Sequence, residues 1–240
     1  MMIDLIIENI EIPTKQDGIL LKGSLYYTNK KNSKAPFIII LPGFLEHRQS
    51  GFVKFFSEKF ADAGYYVLSY DYRAHGETKT KYGYSWNKIF PLIFSDIHIV
   101  LEWIIECQSK RLLEDKIVLF GRSLGGAIVL SHGFIDERAK ILIALSPRYD
   151  YHTTQIKFQE EAIKKISPHN FLKKDPRNSD RIFITHCKDD DRIPFQNLIQ
   201  IQEHLELNDK NVVKFDNGGH SFKGHRQEIF KYFLEFLKKV

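Results

Sequence analysis

Three short stretches of this sequence combine residue types suited to chemistry: Gly121-Arg122-Ser123-Leu124-Gly125, Asp189-Asp190-Asp191 and Gly218-Gly219-His220. A serine hydroxyl is a weak nucleophile at neutral pH. It attacks a carbonyl only when a base of pKa near 7 takes its proton and a carboxylate orients that base. The chain order serine, aspartate, histidine meets that need if the three converge. Ser123 is then the nucleophile. His220 is the base, because the glycines before it let a tight loop return the imidazole over a sheet edge. Among the three aspartates Asp190 is preferred, since its distance from Ile193-Pro194 suits a turn in which the proline opens the next helix. Asp189 and Asp191 are left for turn hydrogen bonds or for pairing with Lys188 and Arg192. The charge that attack places on the carbonyl oxygen needs fixed N–H donors, each worth roughly 3 kcal/mol of barrier. The backbone N–H groups of Leu124 and of Phe44, which follows Pro42-Gly43, are the candidates.

These residues need a scaffold that brings distant loops to one rim. Residues 116–120 form an apolar, β-branched run, and 124–133 form an apolar stretch too long for a strand, so Ser123 falls on a strand-to-helix turn. Gly121 and Gly125 permit that turn, because a serine in a strained backbone needs neighbours without a Cβ. Upstream, 5–12 and 19–27 alternate apolar and polar residues around Gln16-Asp17-Gly18, which predicts an antiparallel pair at a sheet edge. Residues 36–41 and 65–70 read as strands covered on both faces. Helices are expected over 52–63, over 95–108 with Ser95 as N-cap and Pro91 just before it, over 196–205 and over 226–238. Strands are expected over 141–145, 181–186 and 211–215. The pattern is α/β: a mostly parallel doubly wound sheet with an antiparallel N-terminal edge. Residues 146–180 interrupt the alternation, with a helix around 155–165, and read as a small cap over the pocket. The length fits one domain over 1–240.

Composition narrows the function classes. The net charge of +5 is spread along the chain, without the basic and aromatic clustering of a nucleic-acid surface. Cys107 and Cys187 belong to no metal or redox spacing and read as reduced thiols. Outside the Gly-Gly-His turn, His47, His98, His132, His152, His169, His204 and His225 suit surface, capping or helix-face positions. None has metal-ligand spacing, so no metal is expected. No apolar run approaches the roughly 20 residues of a membrane span. The first 14 residues lack the pattern of a signal peptide. A cytoplasmic location is expected, and no feature specifies an oligomeric state.

Taken together, these segments resemble the α/β hydrolases over nearly the whole chain. The resemblance is greatest to the compact esterase, monoacylglycerol lipase and serine aminopeptidase-like group. Pro42-Gly43-Phe44 stands where that group has a His-Gly turn, and Asp71-Tyr72-Arg73-Ala74-His75-Gly76 where it has Asp-x-Arg-Gly-His-Gly. Pro42 and Ala74 depart from the usual histidine and glycine, and Cys187 from a usual glycine. The resemblance implies hydrolysis of a small-molecule ester through an acyl-enzyme on Ser123, His220 and Asp190, with no cofactor and with His75 structural. Leu45, Trp86, Phe90 and Tyr149, beside Phe44, are expected to line an apolar pocket for small or medium acyl or aryl groups. A peptidase or amidase on the same triad, and a non-catalytic binding member of the fold, are the competing readings.

Overall fold

The computed structural model describes residues 4–29, 34–83 and 85–238. Its strands are β1 (Leu5–Pro13), β2 (Leu20–Thr28), β3 (Ala35–Leu41), β4 (Tyr66–Tyr70), β5 (Leu112–Arg122), β6 (Ile141–Leu145), β7 (Ile182–Cys187) and β8 (Val212–Phe215). They form one eight-stranded sheet in the order β1-β2-β4-β3-β5-β6-β7-β8. β1 with β2 and β2 with β4 are antiparallel, and every other neighbouring pair is parallel. This is the expected α/β sheet with its antiparallel edge.

The order has a functional consequence. After β3 the chain moves to one side to form β4 and then crosses to the other side to form β5. The loops leaving β3 and β5 therefore diverge to opposite faces, and a crevice opens outside their carboxyl ends, the place where such sheets bind ligands. Pro42-Gly43-Phe44 leaves β3 there, and Ser123 leaves β5.

Both faces of the sheet are covered, and the largely apolar inner strands β3, β4, β6 and β7 are buried at nearly every position. On β3, Phe37, Ile39 and Leu41 point to one layer, while Ile38 and Ile40 point to the other. The first layer receives α2 (Trp86–Cys107), α3 (Leu124–Val129) and α7 (Gln196–Leu205). The second receives α1 (Gly51–Asp62) and α8 (Arg226–Leu237), where Phe56, Phe60, Phe120 and Phe233 pack ring against ring.

Three helices differ from expectation. α2 begins at Trp86, so Ser95 lies inside it, and Pro91 is accommodated in its second turn. The proline removes one ladder bond, but Ile89, Phe90, Ile93 and Phe94 extend the buried stripe of Ile97, Val100, Leu101 and Ile104, and that burial outweighs the loss. The Ser95 hydroxyl donates back to the Leu92 carbonyl at 3.1 Å. The helix after Ser123 is split into α3 and α4 (His132–Ile135), because the Ser131 hydroxyl donates to the Ala127 carbonyl at 2.7 Å where the ladder would continue. Within 146–180 the helix α5 spans only Glu160–Ile166, since Ile156 and Phe158 turn into a cavity wall. A four-residue helix α6 (Asn178–Arg181) precedes β7. Among the described residues no helix is long and apolar enough to cross a membrane.

The fold hinges on backbone packing at the elbow. A Cβ on Gly125 would overlap the carbonyl of Leu41, and one on Gly121 would overlap the carbonyl of Gly125. Gly125→Ala is expected to cost about 3 kcal/mol or more, because the obstacle is backbone on a central strand. Gly51→Ala, where nothing lies within 4 Å, is expected to be neutral or mildly stabilising. Urea unfolding midpoints of the two variants check this, and equal midpoints would remove the packing argument.

Candidate active site

Ser123 sits between β5 and α3 with φ 58° and ψ −115°, a region that costs a non-glycine residue roughly 1–3 kcal/mol. The surroundings over-determine it. Its N–H donates to the Leu145 carbonyl at the end of β6 at 2.9 Å, and its carbonyl accepts the Ala127 N–H at 3.0 Å. The side chain opens into a cavity of about 560 Å³ and makes no hydrogen bond among the described residues.

His220 lines the same cavity from the loop after β8. Gly218 and Gly219 before it take φ 116° and 58°, which only glycine adopts without strain, and the ring lies in a 3-10 turn over Gly219–Ser221. Its Nδ1 meets Asp190 Oδ2 at 2.8 Å and Oδ1 at 3.1 Å. An ionised carboxylate only accepts, so Nδ1 carries the proton and the Nε2 lone pair of the neutral ring is left free.

Asp190 is buried on the turn after β7, where Oδ1 also accepts the N–H groups of Arg192 and Ile193, each at 3.0 Å. Burial pushes its carboxyl up. The hydrogen bonds from His186 and His220, the charge that His220 acquires and the Ile193 N–H outweigh that, and hold the group well below the usual carboxylate range.

His186 is a residue of the site that its sequence context does not mark out. It is fully buried at the end of β7, with Nε2 at 2.9 Å from the Ile193 carbonyl and 3.1 Å from Asp190 Oδ2. Both partners are acceptors, so Nε2 holds a proton shared between them. The available signal was a histidine at the end of the apolar strand Ile182–Cys187, four residues before Asp190. Of the flanking aspartates, Asp189 takes partners other than its own turn and the neighbouring cations. Asp189 accepts the N–H groups of Gly218 and Gly219 at 3.1 and 2.8 Å, while Lys188 pairs with Asp216.

The loop after β3 lies against the serine: a Cβ on Gly43 would stand 3.6 Å from Ser123 Cβ. Glu46 holds that loop by accepting the Gly43 N–H at 2.9 Å and pairing with Arg122, the residue before Ser123. The Tyr72 hydroxyl donates to the Pro42 carbonyl at 2.9 Å, so the loop is fixed without the histidine that the resembling group carries. The Phe44 N–H has no acceptor among the described residues. Leu124 opens α3, ahead of the intrahelical ladder, so its N–H is free to donate.

Phe44, Leu45 and Phe90 line the cavity, joined by Tyr151, Ile156, Phe158 and Ile193, which the sequence did not single out. Trp86 stands behind Phe44, with ring centroids 5.1 Å apart, and the Tyr149 hydroxyl turns to His204 Nδ1 at 2.8 Å. Neither is part of the cavity wall. Cys187 is fully buried, and burial with the nearby charges of Asp189 and Asp190 pushes its thiol up to about 12, which makes it inert as a nucleophile. His75 Nδ1 bonds the Arg73 carbonyl at 2.9 Å within its own loop. Ala74 takes φ 59°, the left-handed conformation that a glycine would adopt without strain. Among the described residues no group of three or more His, Cys, Asp or Glu side chains is placed to hold a metal ion.

Known proteins place this arrangement in context. An uncharacterized 31.7 kDa protein of Escherichia coli, from the traX-finO intergenic region, is 30% identical over 115 residues, which is 47% of this chain and 37% of the relative. The chain thus matches little more than a third of that relative's length. Est1E from Butyrivibrio proteoclasticus, solved with ferulic acid bound, superposes with a TM-score of 0.80 at 19% identity over 96% of this chain and 98% of that one. An acylaminoacyl peptidase solved with a peptide chloromethyl ketone superposes at 0.74 and 19% identity over 98% of this chain and 41% of that one. At these identities the superpositions speak for the fold alone. The family described as serine aminopeptidase, S33, matches residues 32–192, the stretch that runs from β3 through the serine elbow to the turn carrying Asp190. On that match the chain belongs to the S33 serine aminopeptidase-like family of α/β hydrolases.

Proposed function

We propose that the protein is a serine esterase that cleaves carboxylic esters of small or medium acyl or aryl groups through an acyl-enzyme. The observation that carries the reading is the imidazole of His220, hydrogen-bonded to buried Asp190, lining the same cavity as the strained Ser123. In this reading Ser123 Oγ hydrogen-bonds to His220 Nε2 across the cavity they share, and Nε2 takes the hydroxyl proton as Oγ attacks the ester carbonyl. The N–H groups of Phe44 and Leu124 receive the oxyanion. The tetrahedral adduct collapses, His220 returns the proton to the departing alkoxide, and an alcohol leaves. Water, deprotonated by His220, then attacks the acyl-serine, and His220 returns that proton to Ser123 Oγ as the acid is released. Asp190 holds the imidazole in the productive tautomer and offsets its transient charge. The aromatic wall of Phe90, Phe158 and Tyr151 supports an acyl or aryl substituent, in keeping with the aromatic acid held by Est1E. Residues 146–180 act as the cap that closes this wall, within one domain, and the two free cysteines suit the cytoplasm.

Ser123→Ala is expected to abolish labelling by a fluorophosphonate and to lower turnover of short-acyl nitrophenyl esters by about 10⁴-fold or more, with cooperative unfolding retained. Persistent labelling or turnover would remove Ser123 from the role. Turnover of the matched anilides at comparable rates would instead favour an amidase.

Phe44→Ala keeps the backbone N–H and is expected to retain much of the rate. Phe44→Pro deletes it and is expected to cost about a hundredfold or more in kcat. Equal losses would place the oxyanion site elsewhere.

The Asp190 carboxyl also makes a stability prediction. Its folded-state pKa lies below the roughly 3.9 of an unfolded aspartate, so its stabilisation is complete above that value and is lost as pH falls toward the folded one. Asp190→Asn is therefore expected to flatten the fall in unfolding free energy below about pH 4, and to lower kcat by about 10³–10⁴-fold at neutral pH. Urea titrations at several acid pH values measure the first effect and steady-state kinetics the second.

A further inference from the structure

The charged side chains on the cavity wall are not all accounted for by the hydrolytic machinery. Glu46 and Arg122 neutralise each other beneath the serine, and Asp191 and Arg192 stand together, exposed and of opposite sign, at the rim. Arg148 is different. Its side chain is half-buried, and its contacts are neutral oxygens: Thr153 Oγ1 at 3.0 Å, the Arg192 carbonyl at 3.2 Å and the Thr153 carbonyl at 3.5 Å. No carboxylate lies within ion-pair distance of it among the described residues. The neighbouring Asp150 is engaged by the N–H and Nδ1 of His152, at 2.9 and 2.7 Å. A partly desolvated guanidinium without a direct ion pair is costly: burial pushes its pKa down from the ordinary arginine value, against the smaller opposing pull of Tyr151, Asp190 and Asp150.

Its placement ties the cost to the cavity. Arg148 lies three residues beyond Leu145, whose carbonyl holds the Ser123 N–H, and its Nη2 holds the carbonyl of Arg192, two residues beyond Asp190. The group thus stands between the loop that supports the nucleophile and the loop that carries the acid. Remaining N–H donors of a planar fork in that position match a carboxylate in two parallel hydrogen bonds, made stronger by the partial exclusion of water. One unpaired cation balances a monoanion, which favours a carboxylate over a doubly charged phosphate.

From this arrangement we infer that Arg148 is the anion-binding group of the substrate cavity, and that the substrate is an ester with a free carboxylate on its acyl or alcohol arm. The inference rests on the esterase reading for its kinetic test, and a binding test stands apart from it. Two probes address the two arms: the 4-nitrophenyl monoester of glutaric acid and 4-carboxyphenyl butyrate. Each is compared with its neutral counterpart, 4-nitrophenyl pentanoate or phenyl butyrate. The expected result is a charged-to-neutral ratio of kcat/KM of about ten or more for at least one arm, collapsing toward one in Arg148→Met and partly restored in Arg148→Lys. Glutarate or benzoate is expected to raise the thermal midpoint of Ser123→Ala and to lose that effect when Arg148→Met is added.

A wild-type ratio near one for both arms while neutral esters are turned over would overturn the inference and leave the esterase reading standing. A ratio unchanged in Arg148→Met, with both probes slowed alike, would make Arg148 a staple between two loops and overturn it as well. If no ester is turned over and no fluorophosphonate label appears, the esterase reading fails. The midpoint shift then decides whether Arg148 binds the anion: a shift abolished by Arg148→Met supports binding, and no shift overturns it.

Discussion

The site depends first on how closely three pieces of backbone approach one another. β5 and α3 cross beside the end of β3 at a separation that leaves no room for a side-chain carbon at Gly121 or Gly125. That contact forces the residue between them into positive φ, and the hydrogen bonds of Ser123 to Leu145 and Ala127 lock it there. The result is a hydroxyl held out from the sheet instead of folded into its own helix. The same contact brings the carboxyl end of β3 against the serine, so the loop carrying Phe44 is placed by the packing that places Ser123. Strain at one residue and proximity of two loops thus have a single cause.

The loops around this contact are anchored by buried ion pairs, which hold position more than they add stability. Arg73 is nearly inaccessible and spans three elements: it forks onto Asp96 of α2 at 2.7 and 2.8 Å and also pairs with Asp17 in the β1–β2 turn. Arg48 pairs with Asp71 and Glu77, and Asp71 accepts the Arg48 N–H at 2.7 Å and the Glu77 N–H at 2.9 Å. The turn after β4 is thereby fastened to the loop after β3, to the long helix and to the sheet edge. A hydrophobic substitution of equal volume has no such directional preference. The charges act here as registration devices at the rim where side chains must be aimed.

What is legible in the sequence follows from how local each signal is. Strands such as β3 and β6 read correctly because continuous apolar runs of five to seven residues have few other uses, and the elbow reads correctly because its glycines and serine sit within five consecutive positions. The start of α2 does not. Its first turns contain Pro91, a local signal for a break, and only the buried stripe formed against the sheet and the 146–180 segment overrides it. The split after Val129 depends on one hydroxyl choosing a backbone acceptor, which no periodicity records. Trp86 and Tyr149 misled because an aromatic residue near a loop reads the same whether its ring faces a cavity or backs another ring. His186 was passed over because a histidine inside an apolar strand looks like core until the carboxylate four residues later folds back beneath it.

The three consecutive aspartates show how one turn distributes identical side chains among different tasks. β7 ends with Cys187 in the sheet, and the chain then reverses, with the Asp190 N–H donating to the Cys187 carbonyl at 3.2 Å. That reversal points successive residues in different directions. Asp189 faces the loop after β8 and takes the N–H groups of both glycines before His220, so it fixes the path of the loop that delivers the imidazole. Asp190 faces inward, where two histidines and two backbone N–H groups surround it and its charge is held in a nearly dry site. Asp191 faces outward beside Arg192. A slip of one residue in the turn would put a solvated carboxylate behind the imidazole and bury one without donors. The turn is therefore constrained from both sides, by the proton that Nε2 of His186 shares with the Ile193 carbonyl and by the glycine N–H groups bound to Asp189, and the position of the Asp190 carboxylate follows from those constraints together with its own donors.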